Sequence, residues 1–190
     1  MKKIILIGGG GHCKSVIDVI EQEGTYSIAG IIDNQKISGE KILNYEIIGT
    51  DSDLFELRQT YTYAFVTIGQ IYSHETRSNL FNNLIKIGYE LPTIISPRAY
   101  VSKYSDIDIG SIVMHHAVIN AGSRIGKNCI INTNAIIEHD AIIGSNCHIS
   151  TASVINGGVV VEENSFVGSN STTKENSLLK GFNKAGAVLK

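Results

Sequence analysis

From Val101 to Leu179 an aliphatic residue returns at every sixth position without insertion. The series runs Val101, Ile107, Val113, Ile119, Ile125, Ile131, Ile137, Ile143, Ile149, Ile155, Val161 and Val167, breaks at Thr173 and resumes at Leu179. Four residues after each member stands a small one (Ser105, Ser111, Ala117, Ser123, Cys129, Ala135, Ala141, Cys147, Ser153, Ser165, Ser171, Ser177), except for Val159. A period of six fits neither the 3.6 of a helix nor the two of a lone strand, so it belongs to a higher-order repeat. Three six-residue faces close one triangular coil of about eighteen residues, and coils stack about 4.8 Å apart as a parallel β-helix. The aliphatic series should fill the shaft and the small series the inner corners. Lys127, Asn128, Ser145, Asn146, Glu162 and Glu163 should face solvent. A single coil cannot bury its apolar side, so stacking supplies the core.

The remaining sequence reads differently. Lys3–Ile7 is a fully apolar strand, Gly8-Gly9-Gly10-Gly11-His12 follows at once, and Val16, Ile17, Val19 and Ile20 mark an amphipathic helix. Strand, glycine turn and helix start make an anion site, because backbone N–H groups approach a ligand closely and the helix N-terminus carries partial positive charge. A second strand, 27–32, ends in Asp33, the place of a carboxylate that meets a ribose or base. Cys13 stands where the dinucleotide fingerprint has its third glycine, which argues against NAD. Further strands are read at 63–68, ending in Gly69, and at 89–95, with a helix over 74–87 between them. Pro92 and Pro97 bracket a join near Ser96. The expected organisation is therefore an α/β Rossmann-like domain over 1–95 and an all-β hexapeptide β-helix over 96–190, the latter losing its regular pattern after Ser169 with no visible cap.

A net charge of −2 and the absence of Lys/Arg clusters argue against a nucleic-acid or polyanion partner. The apolar run that ends at Gly8 is too short for a signal peptide or a membrane span. Three cysteines, an odd number, fit a reducing cytoplasm, and no C-x-x-C pair offers a zinc site. Cys129 and Cys147 fall on small inward positions and read as core fillers.

With eighteen residues per coil, His139 has Ala121 above and Gly157 below, a notch wide enough for a ligand, and Asp140 beside it would raise its basicity. The pair reads as a general base and its orienting carboxylate. His148, half a coil on, points from another face and meets a His139 only across a protomer boundary, which implies a trimer. His74, His115 and His116 read as surface residues.

Gly8-x-x-Gly11-His12 after a strand, Asn132-Thr133 leading to Ile137-Glu138-His139-Asp140, and His148-Ile149-Ser150 together resemble the bacterial sugar acyltransferases that pair a small Rossmann-like domain with a left-handed hexapeptide β-helix. That family includes N-acetyltransferases of UDP-4-amino sugars, of the bacillosamine and legionaminic acid type, and sialic acid O-acetyltransferases. The resemblance implies a homotrimer that uses acetyl-CoA without a metal, with His139 as general base and Asp140 enhancing it. It implies that Gly10, Gly11, His12, Asp33, Asn34 and Gly69 hold a UDP-sugar, and that His148, Ser169 and Asn132 contact acetyl-CoA. One departure is visible: the region after Asn170 is shorter and lacks the family's Val-Gly-x-Pro-Ala-like tail. The expected activity is N-acetylation of the 4-amino group of a UDP-4-amino-4,6-dideoxy sugar. The alternatives are sialic acid O-acetylation, a trimer that binds a nucleotide-sugar without catalysis, and a zinc carbonic anhydrase-like trimer.

Overall fold

The computed structural model describes residues 1–190, and its contacts divide the chain into two compact units. One comprises Met1–Gly69 with Glu75–Pro92; the other comprises Gln70–His74 with Thr93–Lys190.

In the first unit, β1 (Lys2–Ile7), β2 (Tyr26–Ile32), β3 (Lys41–Ile42), β4 (Tyr45–Gly49) and β5 (Tyr63–Val66) form one sheet in the order β3-β4-β2-β1-β5. All pair in parallel except β3 with β4. Between β1 and β2 runs α1 (Gly11–Glu23), which buries Cys13, Val16, Ile17, Val19 and Ile20 and ends where Gly24 takes φ 75° and donates its N–H to Ile20. Each such aliphatic side chain contributes about 1.5–3 kcal/mol by leaving water. After a short α2 (Leu54–Leu57), α3 (Glu75–Ile87) adds Phe81 and Leu84 to a core with Ile5, Ile7, Ile32 and Val66. The β3–β4 hairpin carries only two residues of β3 and leaves no periodic trace in the sequence. The strand expected over 89–95 does not exist as one piece: Glu90 bridges Tyr63, whereas Ile94–Ile95 pairs with Ile112–Val113 in the repeat. Pro92, which has no N–H to donate, separates the two.

The second unit is a left-handed parallel β-helix of two-residue strands stacked in three sheets. Pairs such as Val118↔Ile136↔Val154 and Arg124↔Ile142↔Val160 set the rise at eighteen residues per coil. The inward aliphatics from Val113 to Val167 are buried, and Ala117, Cys129, Ala135, Ala141 and Cys147 close the corners. Thr173 remains inside the shaft because its Oγ1 accepts the Asn156 N–H at 2.8 Å, which satisfies the hydroxyl. The pattern does not dissolve after Ser169. It continues with a coil two residues shorter, so that Phe166 pairs with Phe182 and Thr172 with Val188.

A third six-residue series explains the corners. From Ser111 to Ser177 the residue before each member of the second series, Val159 included, takes left-handed φ: Gly110, His116, Gly122, Asn128, Asn134, Asp140, Asn146, Ala152, Gly158, Asn164, Asn170 and Asn176. Gly and Asn dominate because this region costs them little. Two of these residues correct the sequence reading. Asn128 is buried and Asn146 half-buried, since their amides run down one corner rather than outward, Asn128 Nδ2 donating to Asn146 Oδ1 at 2.8 Å and Asn146 Nδ2 to Asn164 Oδ1 at 3.1 Å. Ala152 is the one member with neither the freedom of glycine nor a polar side chain, and it holds φ 56°. Ala152→Gly is expected to raise unfolding stability by about 1 kcal/mol, the left-handed penalty for a Cβ less the entropy of glycine. Chemical denaturation showing equal or lower stability would refute it.

Candidate active site

At the carboxyl edge of the first unit's sheet, a cavity of about 880 Å³ is lined by the Gly8–His12 turn, Asp33, Asn34, Gly69 and one face of α3. Gly8 has φ 106°, and a Cβ there would run into Ile68. Thr67, fully buried, ties the turn by donating its hydroxyl to the carbonyls of Ile7 and Gly8. Gly10 and Gly11 differ from Gly8: neither has positive φ and a Cβ on either would meet nothing within 4 Å. Their bareness leaves room on the cavity side of α1, whose first turn has no side-chain cap and no acidic residue. The positive dipole at that end of α1 favours an anion.

Asp33 closes the other side of the turn. Its Oδ2 accepts the Gly9 N–H at 2.7 Å and its Oδ1 the Gln35 N–H at 2.8 Å, and each oxygen keeps a lone pair for a hydroxyl donor. Asn34 is locked in a reciprocal pair with Asp51, Nδ2 donating to Oδ2 at 2.7 Å and the Asp51 N–H donating to Oδ1 at 2.9 Å. His12, half-buried, and Gly69 lie on the same wall. Sequence reasoning missed Asp51 and the α3 residues Thr76, Asn79 and Asn83. The last three sit at helical spacing on the polar face of α3, which by pattern alone reads as a solvated surface.

In the second unit, His139 and Asp140 follow the inward Ile137. The corner turn gives Asp140 φ 60° and brings its Oδ2 to 2.8 Å from His139 Nδ1. A carboxylate only accepts, so Nδ1 carries the proton and Nε2 bears the lone pair. Both side chains are open to solvent, at 67% and 72% exposure. The hydrogen bond to Asp140, joined by the charges of Asp140 and Glu138, holds the imidazole above its ordinary pKa against the opposing effect of desolvation. A Cβ at Gly157 would stand 2.7 Å from Nε2. The space beneath His139 is thus filled by its own ring rather than being an open notch.

His148 departs from the sequence reading. It is buried, its Nδ1–H donates to the Gln70 carbonyl at 2.6 Å, and its Nε2 accepts from Asn132 Nδ2 at 3.1 Å. The segment Gln70–His74 packs on this face of the coil, where Tyr72 stacks on Phe182, Phe182 on Phe166, and Phe166 meets the His148 ring edge-on. Ser169 shares a hydrogen bond of 2.9 Å with Ser150. His115 is likewise no bare surface residue: it is half-buried, and its Nδ1 lies 2.6 Å from Ser96 Oγ. His74 is half-buried and His116 is exposed. No group of three His, Cys, Asp or Glu side chains is placed to hold a metal ion.

The fold defines a hexapeptide β-helix protein with an α/β unit that carries a glycine-lined cavity, and comparison with known proteins narrows the class. Residues 3–84 match the PglD N-terminal domain, and residues 122–157 match the bacterial transferase hexapeptide (six repeats). The acetyltransferase domain of PglB from Neisseria gonorrhoeae FA1090, solved with acetyl coenzyme A, superposes with a TM-score of 0.92 at 30% identity, covering 100% of this chain and 91% of that one. PerB from Caulobacter crescentus, solved with CoA and GDP-perosamine, superposes with a TM-score of 0.92 at 32% identity, covering 100% and 89%. Protein L142 of Acanthamoeba polyphaga mimivirus is 34% identical over 123 residues, 65% of this chain, and the chain spans 23% of that curated relative. The chain belongs to the hexapeptide-repeat sugar acetyltransferases.

Proposed function

We propose that this chain transfers an acetyl group from acetyl-CoA to the 4-amino group of a nucleotide-linked 4-amino-4,6-dideoxy sugar, the nucleotide being UDP, as a homotrimer. The observation that carries this reading is the exposed His139–Asp140 pair, with Nδ1 engaged and Nε2 free of any carboxylate. Gly10, Gly11, His12, Asp33, Asn34 and Gly69 hold the nucleotide-sugar, with its diphosphate at the N-terminus of α1. Asn132 and Ser169 contact acetyl-CoA, and the buried His148 orients the Asn132 amide from behind. His139 Nε2 removes a proton from the amine as nitrogen attacks the thioester carbonyl, backbone N–H groups steady the oxyanion, and the proton leaves on the thiol when the C–S bond breaks. Transfer is direct, without an acyl-enzyme. Cys13, Cys129 and Cys147 are all buried, and burial pushes the Cys13 thiol up to about 11, away from the thiolate a nucleophile needs.

Thiol release from acetyl-CoA tests the reading, with UDP-4-amino-4,6-dideoxy-N-acetylglucosamine, GDP-perosamine and free sialic acid offered in turn. Turnover with the first supports the reading as stated; turnover with GDP-perosamine alone changes the nucleotide; turnover with sialic acid alone replaces N- by O-acetylation. The pH profile tests the base. His139 acts when neutral, so kcat/KM falls as pH drops through its pKa, which Asp140 holds above the ordinary histidine value. Asp140→Asn, which tolerates the same left-handed φ, removes the charge and is expected to move this acid limb to lower pH. An unmoved limb would separate Asp140 from the base.

A further inference from the structure

Glu138 is half-buried beside His139, and no lysine or arginine pairs with it. Its Oε2 accepts from Asn120 Nδ2 at 2.8 Å, from the coil before. The residue one coil on, Asn156, is turned away, with Nδ2 and N–H bonded to Thr173. One carboxylate oxygen is therefore anchored and the other has no hydrogen bond from the protein. A partly desolvated carboxylate in this state favours a cationic donor, because charge-assisted hydrogen bonds are shorter and about twice as strong as neutral ones.

We infer that Glu138, held by Asn120, docks the acceptor as its ammonium form and selects amines over hydroxyls at the transfer site. This rests on the acetyl-transfer reading above. A sugar amine resembles an α-amino group, with a pKa of about 8, and so arrives largely protonated at neutral pH. With His139 neutral, Glu138 and Asp140 give the site two negative charges, which attract an ammonium and repel an acceptor bearing its own carboxylate, such as a sialic acid. The bound ammonium releases one proton to water. His139 Nε2 takes a second as the C–N bond forms, and that proton leaves with sulfur as the C–S bond breaks, so the products are the amide, the thiol and one free proton.

The test uses Glu138→Gln, whose amide oxygen still accepts from Asn120, so the coil keeps its hydrogen bond and loses only the charge. Affinities are measured by titration calorimetry for UDP-4-amino-4,6-dideoxy-N-acetylglucosamine and for the same compound with a hydroxyl in place of the amine. In the variant, affinity for the amine is expected to fall about tenfold. Affinity for the hydroxyl compound and for acetyl-CoA should stay within about twofold, which a merely structural role of Glu138 would not produce. An unchanged amine-to-hydroxyl ratio in a variant whose parent acetylates the amine overturns this inference alone. A parent that neither binds nor acetylates the amine overturns the acetyl-transfer reading, and this inference with it.

Discussion

His139→Ala is expected to lower kcat by about 10²- to 10⁴-fold, the usual cost of removing a general base, while leaving the thermal transition almost unchanged. The two halves of this result come from one geometric fact. The ring stands outside the shaft, 67% exposed, and its only polar partner is the equally exposed Asp140, so truncation opens no cavity and strands no buried group. The neighbouring contact is with Gly157, which has no side chain to lose a partner. The backbone is held independently, by the Gly158 N–H to the His139 carbonyl at 3.0 Å and by the Asp140 N–H to the Ala121 carbonyl at 3.1 Å. Initial rates of thiol release and a circular-dichroism melt check both halves. A variant active to within about twofold would remove His139 from the mechanism, and one that is inactive but also unfolded would show the residue to be structural.

Gly11→Asp should produce the second large effect, with opposite signs on folding and on binding. Gly11 opens α1, has no positive φ, and faces open space, so aspartate fits without strain. A carboxylate in the first turn offsets the helix dipole by about 0.3–1 kcal/mol, and replacing glycine lowers unfolded-state entropy by a further 0.4–1 kcal/mol or so. The melting temperature should therefore rise. Nucleotide binding should weaken by about 10²-fold, because two like charges about 4 Å apart cost roughly 4 kcal/mol at an effective dielectric near 20, and salt removes part of that. Titration with UDP reads the second effect. Unchanged UDP affinity would show that this helix end is not the diphosphate site.

Both predictions concern residues that the sequence already singles out, yet the reasons they separate stability from activity lie in the folded geometry. Periodicity located His139 at a corner between small residues; it did not show that the ring lies over Gly157 or that Asp140 adopts left-handed φ to reach Nδ1. The Gly/Asn series running through Asn128, Asn146 and Asn164 is visible in the sequence at the same six-residue spacing as the aliphatic one, broken by His116, Asp140 and Ala152. By polarity alone Asn128 and Asn146 face solvent, whereas the corner buries their amides, which satisfy one another.

Covalent order and side-chain type by themselves determined the β-helix, its eighteen-residue rise and the α/β unit ahead of it. Those features follow from local periodicity, which a chain must satisfy to bury apolar surface at all. They also placed His139, Asp140 and the Gly8–His12 turn, since each stands at an unmistakable offset within a repeat or behind a strand. Only the tertiary structure decided the fate of His148, which is held between the Gln70 carbonyl and Asn132, the latter two 62 residues apart in sequence. The same holds for the α3 wall of the cavity, for the break of the 89–95 stretch at Pro92, and for the shortened last coil. These depend on contacts between residues distant along the chain, and the energy of such contacts has no signature in the local order of side chains.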